Sequence, residues 1–249
     1  MMHTNAIIQA RMGSTRLPGK VMRRLHDRTV LGHVVRRLQY ASHIDQVVVA
    51  TSAKASDDVI ATEAERLEVP CYRGSEDDVL ARYAGAAAAT AADIVLRITS
   101  DCPMIDPYLI DAMLVRFKEA LAGDNPPDYM SNTRIRRYPR GLDAEIFTRQ
   151  ALETIHALST QPHEREHVTP YLYQHPEQFR ILKHVAEQDH SDLRWTLDTE
   201  ADWQVISAIY DHLYRPQAPP FTLEEMLAVV ERHPELKALN AHIKQKKLG

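Results

Sequence analysis

Short apolar runs that alternate with segments of helical spacing constrain this chain more than any other feature. Ala6-Ile7-Ile8-Gln9-Ala10, Gln46-Val47-Val48-Val49-Ala50 and Asp93-Ile94-Val95-Leu96-Arg97-Ile98 are strand-length, and Val69-Pro70-Cys71-Tyr72-Arg73, interrupted by a proline, is the third of the four in chain order. Such runs read as strands buried in a sheet. Between them, Val30, Val34, Val35 and Leu38 recur at helical spacing up to Tyr40. Asp57-Asp58 opens a second helix to about Leu67, because acidic residues suit a first helical turn. An alanine-rich helix follows from Asp77 to about Thr90, and Pro107 starts another. This alternation predicts an α/β fold with a mostly parallel, doubly wound sheet.

The pattern changes after Asp124, at Asn125-Pro126-Pro127-Asp128. Asp128 to Phe147 reads as extended and loop structure. Helices are expected over 151–158, 202–213 and 221–239, with a strand over 179–185 and a fraying Lys-rich tail. The 249 residues fit one domain able to bury its own core. Two separated cysteines, Cys71 and Cys102, predict reduced thiols and a cytoplasmic setting. Neither a membrane span nor a signal peptide is expected, so no membrane insertion.

The net charge of −4 and the 6% aromatic content argue against a nucleic-acid partner, which demands a basic surface. Yet Arg11, Arg16, Lys20, Arg23, Arg24 and Arg28 fall together, opposed only by Asp27. A local basic site in a mildly acidic chain suits a small polyanion. Within it, Arg11-Met12-Gly13-Ser14-Thr15-Arg16-Leu17-Pro18-Gly19-Lys20 follows the first strand, at the sheet edge where open α/β folds bind ligands. Its glycines let the backbone approach phosphates, while Arg11, Arg16 and Lys20 neutralise charge. It is not a P-loop, because Gly13 and Gly19 stand one residue too far apart and Val21 follows Lys20.

Ser100-Asp101-Cys102-Pro103 ends the fourth run, so Asp101 lies at the same edge. Asp101 is either a Mg2+ ligand or a helix cap. Asp198, in Arg194-Trp195-Thr196-Leu197-Asp198, is either a second metal carboxylate or an N-cap. Asp143 and Glu145 are expected on one face of a strand, where they orient sugar hydroxyls or face solvent. His163-Glu164-Arg165-Glu166-His167 matches the zinc-protease pattern H-E-x-x-H. Pro162 and Pro170 leave it barely two turns, so a polar turn facing a substrate is the better reading.

Taken in order, these segments resemble the cytidylyltransferases of bacterial polysaccharide biosynthesis, of the SpsF type, with the CMP-Kdo and CMP-sialic acid synthetases more distant. The likeness runs from about Ala6 to Leu213. It also includes Val49-Ala50-Thr51-Ser52, Arg73-Gly74-Ser75, Asp78-Val79-Leu80-Ala81-Arg82-Tyr83, Tyr138-Pro139, Gly141-Leu142-Asp143 and Arg165-Glu166-His167-Val168-Thr169-Pro170-Tyr171.

The resemblance implies a three-layer α/β/α nucleotidyltransferase fold, GT-A or Rossmann-like, in one domain over residues 1–249. It implies a homodimer with an extended arm, here 128–173. The implied reaction transfers CMP from CTP to an acidic sugar or other anionic acceptor, releasing pyrophosphate. Ala10, Arg11, Gly13, Ser14, Arg16 and Lys20 would bind the nucleotide, with Arg73, Ser75 and Asp77 near base and ribose. Lys20, Arg16 and Asp101 would be catalytic, and Asp101 with Asp198 would hold Mg2+. Asp143, Glu145, Arg165, His167 and Arg194 would meet the acceptor. Two positions depart from the family pattern: Ser100 stands where relatives have Gly, and Arg140 where they have Asp. Rival readings are a glycosyltransferase using a nucleotide sugar, and a non-catalytic nucleotide-sensing subunit.

Overall fold

A computed structural model of the chain describes residues 2–245. The end of the Lys-rich tail, residues 246–249, lies outside them. In chain order the first elements are β1 (Thr4–Gln9), the two-stranded hairpin β2 (Arg24–Leu25) and β3 (Arg28–Thr29), α1 (Val30–Gln39), β4 (Gln46–Ser52) and α2 (Asp58–Arg66). There follow β5 (Cys71–Gly74), α3 (Val79–Ala89), β6 (Ile94–Thr99), α4 (Pro107–Leu121), β7 (Tyr129–Ser131), β8 (Glu145–Thr148) and α5 (Arg149–Leu158). The last are α6 (Pro162–His167), α7 (Pro170–Gln174), β9 (Ile181–Lys183), α8 (Glu200–Leu213), α9 (Leu223–Arg232) and α10 (Glu235–Asn240).

Side-chain alternation along β1 shows why the fold has three layers. Ala6 and Ile8 face one core with Val34, Leu38, Met113, Phe117 and Ile206, from α1, α4 and α8. Ile7 faces the opposite core with Leu80, Tyr83, Leu152 and Leu172, from α3, α5 and α7. A continuous apolar run is therefore what a strand sandwiched between two helical layers requires. Local capping sets the helix starts: the Thr29 hydroxyl accepts from Gly32 N, Asp78 from Ala81 N and Asp106 from Tyr108 N.

The seven-stranded sheet has the order β5-β4-β1-β6-β8-β7-β9. Pairing is parallel from β5 to β6, antiparallel on both sides of β8, and parallel between β7 and β9. The chain moves outward from β1 through β4 to β5, then returns to the other side of β1 as β6. The switch point therefore lies at the carboxyl end of β1, where α/β sheets open a ligand crevice.

Within the segment 128–173, expected as an extended arm, β7 and β8 join this sheet between β6 and β9. Tyr129, Met130, Ile146 and Phe147 are wholly buried there, which ties the segment to the body. The strand expected over 69–73 begins at Cys71, and the one expected over 179–185 narrows to Ile181–Lys183. Among the described residues, no helix is long and apolar enough to cross a membrane.

Candidate active site

The loop after β1 is held from below. Asp57 accepts from Met12 N at 2.8 Å and also binds the Ser52 hydroxyl at 2.5 Å, which ties the loop to the end of β4. Gly19 has φ +65°, a conformation open to glycine, and it starts the short 3-10 turn, Lys20–Met22, that aims Lys20 inward. Ala10, Arg11, Gly13, Ser14, Arg16 and Lys20 all line a cleft of about 380 Å³.

Lys20 is the hub. Its Nζ donates to Asp101 Oδ2 at 2.7 Å and to Asp198 Oδ1 at 2.8 Å. Asp101 Oδ1 accepts from the Thr99 hydroxyl at 2.6 Å. Asp198 Oδ2 receives Arg16 at 3.0 Å and Arg194 at 2.8 Å. The two carboxylates stand side by side because Leu197 N donates to the Asp101 carbonyl at 2.8 Å. Burial alone would lower the Lys20 pKa, but Asp101 and Asp198 outweigh it and hold the ammonium above its ordinary value. Asp198 is shifted the other way: burial would raise it, and Lys20, Arg16 and Arg194 bring it below the ordinary carboxylate range. Replacing buried ion pairs by apolar packing is often neutral or stabilising, so a mostly buried charge cluster at a crevice points to function.

A second cleft of about 650 Å³ adjoins the first and shares Arg16, Asp101, His167 and Asp198 with it. Arg97, Arg134, Arg136, Arg140, Asp143 and Glu145 line its far side. Three of its arginines already have carboxylates: Arg16 has Asp198, Arg97 has Glu145, and Arg136 grips Asp143 through two bonds of 2.6 and 2.9 Å. The other two have no acidic partner among the described residues. Arg134 lies over the Tyr173 ring, 3.9 Å from its centroid. Arg140 is half-buried, and burial together with the nearby Arg136 pulls its pKa below the usual guanidinium value.

Asp143 and Glu145 line the second cleft, and the other residues expected at the acceptor or the base stand outside it, His167 excepted. Asp143 precedes β8 instead of sharing a strand face with Glu145, because Gly141, at φ +106°, and Leu142 make a turn there. Glu145 lies in the wall of the second cleft, accepting from Arg97, Tyr129 and Thr169. Arg165 lines neither cleft and is ion-paired with Asp78 at the start of α3. Arg194 lies behind Asp198, spanning it and Asp202, with Gln245 on its third nitrogen. Arg73, in β5, and Ser75 and Asp77, in the β5–α3 connection, lie outside both linings, and Arg73 bonds Asp58 and the carbonyls of Ser52 and Lys54. Ser100 lines the first cleft.

In the H-E-x-x-H segment, Glu164 turns back to accept from Thr160 N and Gln161 N, while His167 faces both clefts. Burial lowers the His167 pKa, so its imidazole is neutral at neutral pH. Val168, next to it, has φ +72°, a strained conformation for a β-branched residue. Among the described residues, no three His, Cys, Asp or Glu side chains are grouped to hold a metal. Two carboxylates do suit a Mg2+ ion whose shell is completed by water and phosphate oxygens.

Sequence reasoning missed Arg82 and Arg136. Arg82 is 2% exposed, lines the first cleft and has an Nε without a hydrogen-bond partner. An arginine in the middle of an alanine-rich helix was the available signal.

A switch-point crevice lined by a basic glycine loop, with two carboxylates beside it, suits a protein that binds a nucleotide. A family model described as cytidylyltransferase matches residues 5–239, and the chain belongs to that family. It is 34% identical to the spore coat polysaccharide biosynthesis protein SpsF of Bacillus subtilis, over 92% of this chain and 94% of that one. It is also 34% identical to an uncharacterized protein of Methanocaldococcus jannaschii, over 96% and 95% of the two chains. A solved cytidylyltransferase from Leptospira borgpetersenii superposes with a TM-score of 0.89 at 32% identity, covering 99% of this chain and all of that one.

Proposed function

We propose that the chain transfers CMP from CTP to an acceptor carrying an anionic group and releases pyrophosphate, in the biosynthesis of a surface polysaccharide or related glycoconjugate. One observation carries the choice of acceptor: Arg134 and Arg140 face the second cleft without acidic partners among the described residues. The half-buried Arg140 gains most from a carboxylate, phosphate or phosphonate, which a guanidinium grips through two bonds, and the more exposed Arg134 adds charge beside it. The kinship with a polysaccharide biosynthesis protein supports the pathway.

In this reading the first cleft holds the triphosphate against Arg11, Arg16, Lys20 and the backbone at Gly13 and Ser14. The acceptor lies in the second cleft, where the two meet at Asp101 and Asp198. Asp101 and Asp198 would hold a divalent cation, which supplies charge neutralisation at the α-phosphate. The acceptor oxygen attacks the α-phosphorus in line with the departing pyrophosphate. Arg16 and Lys20 stabilise charge growing on that leaving group. Neutral His167 accepts a hydrogen bond from the acceptor hydroxyl at the junction and takes its proton as the oxygen–phosphorus bond forms. Most of the rate comes from alignment of the two substrates.

The test is pyrophosphate release with Mg2+, using each of the four nucleoside triphosphates against matched acceptors with and without an oxyanion group. Release specific to CTP and to the anionic partners supports the reading. Release with neutral acceptors rejects the acceptor class. CTP binding without turnover on any of them would favour a sensing role.

A further inference from the structure

Lys20 stands where a divalent cation would stand. Asp101 and Asp198 would hold a divalent cation through their carboxylates, and the Lys20 ammonium occupies the gap between Asp101 Oδ2 and Asp198 Oδ1, 2.7 and 2.8 Å from them. The other Asp101 oxygen is held by Thr99, and the other Asp198 oxygen by Arg16 and Arg194. We propose that Lys20 is the resident counter-ion of the Asp101–Asp198 pair and moves onto the triphosphate when nucleotide binds, so that the metal enters with the nucleotide and not before it. This rests on the reading of Asp101 and Asp198 as metal ligands.

Charge balance is the physical reason. Metal alone would leave an ammonium pressed against a divalent cation. Nucleotide alone would draw Lys20 away and leave Asp101 without a cation and Asp198 with Arg194 alone, beside phosphates. Arriving together, they exchange partners, and no buried charge is left uncompensated. Lys20 is placed for this exchange, because its loop lines the nucleotide cleft and its side chain is only 11% exposed. Arg16 moves with it: it also holds Asp198, lines both clefts and is 40% exposed. Linkage makes the effect reciprocal, so each ligand tightens the other by the same factor.

The test is Mn2+ binding to the full chain, followed by electron paramagnetic resonance. Wild type, Lys20→Met and Lys20→Gln are each titrated with and without CTP, and a protein-free titration corrects for Mn2+ held by CTP itself. Wild type should bind Mn2+ weakly alone and at least about tenfold more tightly with CTP, a change of about 1.4 kcal/mol. Both variants should bind Mn2+ alone at least about tenfold more tightly than wild type. Equal affinities for Mn2+ alone in all three overturn the proposal and leave the carboxylates as metal ligands. If neither variant folds, the wild type decides, because a Mn2+ affinity unchanged by CTP overturns the proposal. No Mn2+ binding in any protein overturns the metal reading and the proposal with it. A failure of CTP to bind rejects cytidylyl transfer, while the comparison with Mn2+ alone still decides the role of Lys20.

Discussion

Gly141 lies backbone to backbone against Trp195, so close that a Cβ on Gly141 would stand 2.4 Å from the Trp195 carbonyl carbon. The contact is stitched by Trp195 N donating to the Arg140 carbonyl at 2.6 Å and Arg140 N donating to Leu193 O at 3.0 Å. It ties the turn that presents Arg140 to the segment that presents Asp198. Gly141→Ala meets both this clash and the φ of +106°. It should destabilise the fold by about 3 kcal/mol, roughly a 10 °C fall in a thermal melt. An unchanged melting temperature would show that the two segments can part.

Asp101 takes part in no element of the core, so its removal separates chemistry from folding. Asp101→Asn keeps the shape and loses the charge facing Lys20. Pyrophosphate release should fall by about a hundredfold or more, a loss typical of removing one key electrostatic group. Circular dichroism should stay native. Near-normal turnover would remove Asp101 from the mechanism.

The arginines of the second cleft should divide by whether they already have partners. Arg140→Ala and Arg134→Ala should raise the KM for the acceptor roughly tenfold to a hundredfold, as expected for a lost charge-assisted hydrogen bond, and leave the KM for CTP little changed. Arg165→Ala removes a partner of Asp78 at the start of α3. It should lower the melting temperature and spare the acceptor KM. The reverse pattern would return the acceptor role to Arg165.

His33 gives the fold its own pH dependence. It is buried against Tyr210 and bonds Leu25 O at 2.7 Å, and burial pushes its pKa down to about 4. The unfolded chain therefore takes up this proton first as pH falls through about 6.5, and the folded state only near 4. The His33 contribution is intact above 6.5 and is lost between 6.5 and 4, on the order of 3 kcal/mol at most. Denaturant titrations should show His33→Gln losing less stability than wild type across that window. Equal slopes would mean that His33 stays accessible to protons.

Much of the site was legible because its signals are local. Arg11 through Lys20 follow a run that reads as a buried strand, and Asp101 follows another, so both reach the same sheet edge. The loop 128–147 gave no comparable signal. Its strands are short, and β8 runs antiparallel between β6 and β7, a placement set by partners and not by the strand's own pattern.

Burial and helix capping depend on neighbours a few residues apart, so the alternating strands and helices and the loops at the switch point were readable along the chain. Which charges are free was settled by contacts in the folded molecule. Lys20 meets Asp198 across 178 positions, Arg165 meets Asp78 across 87 and Arg97 meets Glu145 across 48. An ion pair depends on distance in space, and no period in the chain encodes it. That is why Arg165 looked like a contact for the acceptor and is bound to a helix cap, while Arg134 and Arg140 remain to face the cleft.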